Sequence, residues 1–500
     1  MPVAVFRVDV SELIGAGHFM RCLTLAKGLK QLDWSCVFMS CELNVYYKKL
    51  LHDKGIEYFL VGKSKQLLEW QNDAKATARW LRDQSCDLLI VDHYALDASW
   101  HRQIRPLVDR LMVIDDLANR AYDCDILLDQ TIGRSPEEYS KYVPANCKLL
   151  LGSSMALIRP EFLSYRPNME DSELKSVAAS GPFKYILINY GGSNVLSLSL
   201  TTLLTLSSLQ FIDELVITLL INQSGKEALL KNKEFISLPF KVKVLSDIEN
   251  MAELLSQQDI VIGAAGTSCW ERSCLGLPSL LVQLADNQTE NIKRLQKHNA
   301  IVNLGSDKPF NQPLLIKTLV KWREQPALVK AISQSAYKIT DGRGLYRILL
   351  SLISSNDNPG LKLRMASEAD CKTIFYWQCT PGVRAYSRNS EIPSWEEHQQ
   401  WYSRMMQNSQ SRLWLVDFMG QSLGFVRLDD SDEADVLEIS IVTAPDYSRL
   451  GVGIWMLKEI QKKAKGRCLK GVVNSQNHAS INLFKSAGYV EKQVGQFYNC

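Results

Sequence analysis

The strongest constraint on this chain is an alternation that occurs twice: short apolar runs separated by longer amphipathic stretches, first from Val3 to about Phe162 and again from Tyr185 to about Ile353. Val3–Val8, Ser35–Met39, Asp87–Val91, Leu111–Ile114 and Ile126–Leu128 have the length and near-continuous apolar character of buried strands. Tyr185–Ile188, Leu215–Leu220, Val242–Leu245, Asp259–Ile262 and Ser279–Val282 repeat the pattern. Strands alternating with helical stretches argue for parallel α/β sheets. The expected organisation is one Rossmann-like lobe at residues 1–165 and a second at 178–353, with the polar stretch Asn168–Ser176 between them. Residues 354–360 combine turn formers with almost no apolar content and read as a linker. A compact α/β unit then fills residues 361–500.

Bulk properties exclude several classes. A net charge of +3 lacks the electrostatic footprint of a nucleic-acid binder. No apolar run approaches the roughly 20 residues of a membrane span, and the first strand is too short for a signal peptide. The 12 cysteines are scattered without a CxxC pair, so the expectation is a cytoplasmic chain with reduced, mostly buried thiols.

Chemistry concentrates in two glycine loops. Gly15-Ala16-Gly17-His18 lies between a strand and a helical pattern. Glycines let backbone amides approach a ligand, and the helix start directs free N–H groups at an anion. The positive end of the helix dipole disfavours imidazolium, which leaves His18 neutral and able to take a proton from water. A lone histidine in such a place is more often a capping or packing residue; its surroundings decide otherwise.

Arg7-Val8-Asp9, Ile14-Gly15-Ala16-Gly17-His18, Arg21 to Ala26, Val91-Asp92-His93-Tyr94 with Asp97, Asp115 to Arg120, and Leu157-Ile158-Arg159-Pro160-Glu161-Phe162 occur in one order. Together they resemble the UDP-sugar hydrolases of pseudaminic acid biosynthesis, over approximately Met1 to Ile353. That resemblance implies the two-lobed GT-B architecture and cleavage of UDP from a diacetamido-trideoxy sugar. It makes His18 the catalytic base, sets Tyr94 near the reacting centre and puts Gly15, Gly17 and Arg21 with the substrate; a supporting role, shared with Asp9, is the alternative for Arg21. Asp92 and Asp115 read equally as helix caps or loop anchors. In the second lobe Gly191, Gly192, Thr267 and Ser268 are expected at phosphate, Glu271 at a ribose diol, and Asn287 and Gln288 at sugar or phosphate. Asn194 stands where aspartate is expected and Ala265 where glycine is usual. No metal is expected, because His52, His93 and His101 form no ligand spacing with carboxylates.

The second loop, Arg449-Leu450-Gly451-Val452-Gly453, follows the strand Val436–Val442 and the turn Pro445-Asp446-Tyr447, and leads into a helix at Ile454–Ala464. With Val473 to Asn477, Ser480, Leu483-Phe484 and Gly488-Tyr489 it resembles the GNAT acetyltransferases. The resemblance implies acetyl-CoA as co-substrate, held by Arg449, Gly451, Gly453 and Asn477. Ser448 replaces the usual arginine or glutamine, and Phe484 the tyrosine that protonates the leaving thiolate in many members; Tyr489 or water is left for that task. Glu438 is either the base for the acceptor amine or an exposed strand residue. Trp395, His398 and Trp401 share one helical face, which suits either an acceptor pocket or simple packing.

The two resemblances imply one bifunctional enzyme: acetylation of a UDP-4-amino sugar, then hydrolysis to free sugar and UDP. A glycosyltransferase fused to an acetyltransferase, or a nucleotide-sugar binding module serving the acetyltransferase, are the other readings.

Overall fold

A computed structural model describes residues 1–10, 15–62, 69–167, 182–191, 195–308, 310–353, 358–407, 412–464 and 466–500. The stretch 168–176, residues 354–357 of the linker, and Gly192 and Asn194 lie outside the described residues. The chain divides into two compact units, residues 1–345 and 346–500.

The first unit holds two parallel sheets, the two-lobed GT-B arrangement of an α/β protein. The first lobe comprises β1 (Val3–Val8), β2 (Ser35–Ser40), β3 (Glu57–Leu60), β4 (Leu88–Asp92), β5 (Leu111–Ile114), β6 (Ile126–Asp129) and β7 (Lys148–Leu151), in the order 3-2-1-4-5-6-7. The register sets Val5 of β1 between Val37 and Leu89, so the central strands are buried on both faces. The second lobe comprises β8 (Tyr185–Asn189), β9 (Val216–Leu220), β10 (Val242–Leu245), β11 (Ile260–Ala264), β12 (Ser279–Gln283) and β13 (Val302–Ser306), in the order 10-9-8-11-12-13.

Each order reverses direction once, between β1 and β4 and between β8 and β11. Loops leaving the carboxyl ends of such a strand pair diverge and leave a crevice for ligands. The Gly15–His18 loop and Asp92–Tyr94 follow β1 and β4; Gly191 and Gly266–Glu271 follow β8 and β11. Topology therefore gathers the motifs at the two switch points. The strands that the apolar pattern does not announce are β3, β7 and β13, all at or beside sheet edges. Glu57 and Tyr58 are exposed, as is Lys148, and one-sided burial breaks the continuous apolar run that marks a central strand.

The second unit is built on one mixed sheet: β14 (Leu361–Met365), β15 (Leu413–Phe418), β16 (Gln421–Asp430), β17 (Val436–Thr443), β18 (Cys468–Val472), β19 (Val490–Gln493) and β20 (Gln496–Asn499). Their order is 14-15-16-17-18-20-19, antiparallel except for the pair β17–β18. That pair runs only from Val436/Cys468 to Ile439/Gly471. Beyond Ile439 the two strands part, and the helix Val452–Lys463 begins just after β17 ends.

One expectation fails here. Cys468 is disulfide-bonded to Cys500, 32 residues away, so the thiols are not all reduced. Pairing of Leu469 with Asn499 across β18 and β20 puts the two cysteines opposite each other at the end of the ladder, with their Cα atoms 4.1 Å apart. The register that creates this contact cannot be read from spacing along the chain. Among the described residues, no helix is long and apolar enough to cross a membrane.

Candidate active sites

His18 sits in the first turn of the helix Gly17–Lys30, which has no side-chain cap and no acidic residue in that turn. Gly15 adopts a left-handed backbone (φ +77°) with open space where a side chain would project. Gly17 is constrained differently: a Cβ there would meet Thr267 Oγ1 of the second lobe at 2.8 Å. The two loops therefore face each other across the cleft, with Thr267 against Gly17.

The His18 side chain is 9% exposed, and its Nδ1 lies 2.5 Å from Oδ1 of Asp92, whose carboxylate is fully buried. Arg21, one helical turn on, donates from Nε and Nη2 to Oδ2 and Oδ1 of Asp92, both at 2.6 Å. Burial by itself would raise the Asp92 carboxyl, but Arg21 and then His18 outweigh it and hold the group well below the usual carboxylate range. An ionised Asp92 accepts a proton-bearing Nδ1, which leaves the lone pair of His18 on Nε2. The Nη2 of Arg21 also lies 3.1 Å from Nδ1, but that nitrogen already donates to Asp92.

Arg21 takes the supporting position that its alternative reading describes. It is 4% exposed and committed to Asp92, with Nη1 also 3.3 Å from Asp116. Asp92 caps no helix; it orients the histidine. Asp115 does anchor a loop, accepting from the amides of Leu117 and Ala118 at 3.1 and 2.8 Å. Asp9 is held by Arg7 (2.7 and 3.0 Å) and His93 (3.1 Å), and supports the carboxyl end of β1.

Tyr94 packs edge-on against the His18 ring, centroids 4.8 Å apart. Its hydroxyl donates to Asp116 Oδ1 at 2.8 Å and accepts from Asn287 Nδ2 of the second lobe at 2.7 Å. Burial and then the Asp116 charge push the phenol far above its usual range, so it stays protonated. His18, Tyr94, Gly17, Thr267 and Asn287 thus converge on one cleft.

Other second-lobe residues are placed less simply. Glu271 accepts from Nε and Nη2 of Arg159 at 3.0 and 2.8 Å, both on Oε1. Ser268 accepts from Arg272 at 3.1 Å inside its own helix. Gln288 Oε1 accepts from the Leu284 amide at 2.9 Å and so shapes its loop. Gly191 is left-handed (φ +63°), and a Cβ there would meet nothing within 4 Å. Sequence reasoning missed Asp92 as partner of His18 and gave Asp116 and Arg159 no role. The motifs containing them were visible; the pairing of positions 18 and 92 across adjacent strands was not. Among the described residues no group of His, Cys, Asp and Glu could hold a metal ion.

In the second unit Arg449 (φ +61°) and Gly451 (φ +82°) are both left-handed, and Gly451 caps the helix Val452–Lys463. The chain turns sharply into the helix there, and amides of a first helical turn have no carbonyl one turn back to bond. Those are the donors a pyrophosphate needs. Gly453 has a packing reason of its own: a Cβ would lie 3.1 Å from Leu483. Asn477 caps the helix His478–Ser486, its side chain accepting from the Ser480 amide at 3.1 Å, so its oxygen is committed.

Phe484 is 5% exposed and stacks among Tyr489 and Phe497, with Gly471 making room for its ring. Tyr489 is buried as well, and burial raises its phenol well above the ordinary range. Glu438 is paired with Arg388 at 2.8 Å rather than free. His398 is 2% exposed, bonded to the Cys371 carbonyl at 3.0 Å and surrounded by Phe375, Trp395, Trp401 and Tyr402. His398 is thus enclosed by packing, while Trp395 and Trp401 of the same face stay half-buried.

Comparison with known proteins agrees with both halves. Residues 194–339 match the glycosyltransferase family 28 C-terminal domain, and residues 361–490 match the acetyltransferase (GNAT) domain. The uncharacterized protein MJ1062 of Methanocaldococcus jannaschii is 22% identical over 99% of this chain and 98% of its own length. The UDP-2,4-diacetamido-2,4,6-trideoxy-beta-L-altropyranose hydrolase of Campylobacter jejuni is 26% identical, covering 53% of this chain and 85% of that protein. The spore coat polysaccharide biosynthesis protein SpsG of Bacillus subtilis is 23% identical, covering 70% of this chain and 96% of that protein. This chain thus joins a GT-B region, similar to a UDP-sugar hydrolase and carrying the glycosyltransferase family 28 C-terminal domain, to a GNAT acetyltransferase domain.

Proposed function

We propose that the GT-B region hydrolyses a UDP-linked 2,4-diacetamido-2,4,6-trideoxy hexose to free sugar and UDP, and that the GNAT domain acetylates the 4-amino precursor. The observation that carries the first half is the His18–Asp92 contact at 2.5 Å beside Tyr94 and opposite Thr267. Asp92 fixes the tautomer, so Nε2 of His18 accepts a proton as water attacks the anomeric carbon. The bond from that carbon to the diphosphate oxygen breaks, and UDP leaves with the bonding pair. The carboxylate of Asp92 balances the imidazolium, while amides at the Gly15–Gly17 and Gly266–Ser268 loops meet the departing charge. Glu271, with Arg159 on one oxygen, offers its other oxygen to the ribose.

In the GNAT domain the acceptor amine attacks the thioester carbonyl of acetyl-CoA, the C–S bond breaks, and the thiolate takes a proton. The residues fit the coenzyme at the Arg449–Gly453 turn. Glu438 can take the amine proton once Arg388 is displaced. Phe484 and Tyr489 are both buried, which leaves water as the acid for the thiolate.

Mass spectrometry of the purified chain incubated with acetyl-CoA and a UDP-4-amino-4,6-dideoxy-N-acetyl sugar tests both halves. Acetylated intermediate and free UDP are the expected products. The match to the glycosyltransferase family 28 domain keeps one competing reading in view. UDP release only upon addition of a second sugar acceptor would replace hydrolysis by glycosyl transfer, and UDP binding without release would leave a binding module.

A further inference from the structure

We infer that Asp116 is a positioning residue that ties closure of the two lobes to the alignment of His18, an inference that rests on the hydrolase reading. Asp116 touches three systems at once. Its Oδ1 accepts the Tyr94 hydroxyl proton at 2.8 Å, and its Oδ2 lies 3.3 Å from Nη1 of Arg21. Its main-chain oxygen accepts from Nη2 of Arg134 at 2.8 Å.

Each contact leads somewhere specific. With its only proton given to Asp116, the Tyr94 hydroxyl can serve Asn287 solely as an acceptor, and Asn287 Nδ2 donates to it across the cleft at 2.7 Å. Arg134 reaches the second lobe by another path: its Nη1 and the Nη2 of Arg294 share Glu138 Oε2, at 2.6 and 2.7 Å. Arg21 leads to Asp92 and hence to the Nδ1 of His18. Both cross-lobe links therefore end on the residue that steadies the arginine behind the base. When the lobes part, Tyr94 loses its donor from Asn287, and the constraint on Asp116 and Arg21 relaxes with it. Water activation is then confined to the closed cleft.

The turn around Asp116 is built to hold it. The Asp115 carboxylate binds the two amides that follow Asp116, and Ala118 takes a left-handed backbone (φ +50°). The Asp116 side chain is 25% exposed and bonded to Tyr94, so it is not locked in the core.

A double-mutant cycle on the full-length chain tests this. UDP affinity by calorimetry is measured for wild type, Asp116→Ala, Asn287→Ala and the double variant, beside initial rates of UDP release from the acetylated UDP-sugar. The expected result is a UDP affinity lowered about tenfold in each single variant and no further in the double, because both remove one link. Tyr94→Phe is expected to match Asp116→Ala. The kcat for release falls in Asp116→Ala by a larger factor than KM rises, since Arg21 loses a partner behind His18. Additive losses in the cycle, or unchanged affinity and kcat in Asp116→Ala, overturn the proposal. Asp116→Asn, which keeps the side-chain volume, takes the place of alanine in the same cycle if thermal melting shows that Asp116→Ala unfolds. A wild-type chain that binds UDP yet releases none defeats the hydrolase reading alone, because the affinity cycle still judges Asp116.

Discussion

The two sites begin with the same device and end differently. In both, left-handed glycines lead into the first turn of a helix: Gly15 before Gly17–Lys30, and Gly451 before Val452–Lys463. Behind the first loop stands a charged, desolvated layer. Arg21 binds Asp92, Asp92 binds His18, and a separate buried cluster of Arg7, Asp9 and Asp73 braces the end of β1. Behind the second loop stand hydrocarbon and aromatic rings, with Leu483 against Gly453 and Phe484 against Gly471. Glu438, on β17, meets an arginine that is 72% exposed. The contrast separates two uses of a helix start. A loop that only binds an anion needs amides and a firm base, whereas a loop that also performs proton transfer needs ionised groups whose burial fixes their orientation.

The largest effect expected is at His18. Replacement by alanine should lower UDP release by about 10²–10⁴-fold while UDP still binds; a rate within tenfold of wild type would break the contrast, leaving both loops as anion cradles. Asp92→Asn should cost about a hundredfold or more, because an amide donating to Nδ1 stabilises the wrong tautomer. Steady-state kinetics with unchanged UDP affinity would identify that cause.

Acid unfolding sharpens the same comparison. The Asp92 and Asp9 carboxyls are held below their ordinary values despite burial, by Arg21 and by Arg7 respectively. A carboxyl lowered on folding stabilises fully above its unfolded value of ~3.9 and loses that contribution as pH falls through its folded value. Circular dichroism from pH 6 downward should therefore show acid sensitivity that diminishes in Asp92→Asn. An unchanged acid limb would mean that the cluster does not govern it.

Smaller effects belong to the second site. Glu438→Gln should slow acetyl transfer by about tenfold or more if Glu438 takes the amine proton, and thiol release from acetyl-CoA measures it. Phe484→Tyr should not accelerate the reaction, because the ring is enclosed by Tyr489 and Phe497. Arg388→Ala should change melting stability by less than about 1 kcal/mol, as exposed ion pairs do. A large loss there would reveal a support layer resembling that of the first site.

Much of the architecture was legible because it is encoded locally. Central strands announce themselves by continuous apolar runs, and Gly15, Gly17 and Gly451 stand where a strand gives way to a helix. Edge strands were not legible: Glu57–Leu60 has exposed residues and no run to recognise. His398 was legible only as two alternatives, acceptor pocket or packing, and contacts with Phe375 and Tyr402 enclose it.

By itself, the sequence determined two parallel sheets, a third α/β unit after residue 360, and which strand ends carry glycine, histidine and acid. Those features follow from periodicity and backbone preference, which act over a few residues. Tertiary structure decided which groups meet. Asp92 reaches His18 from 74 residues away, and Asn287 reaches Tyr94 from 193. It also set Arg21 against Asp92 and joined Cys468 to Cys500. Such pairings depend on strand order and on the approach of one lobe to the other, and no spacing along the chain records either.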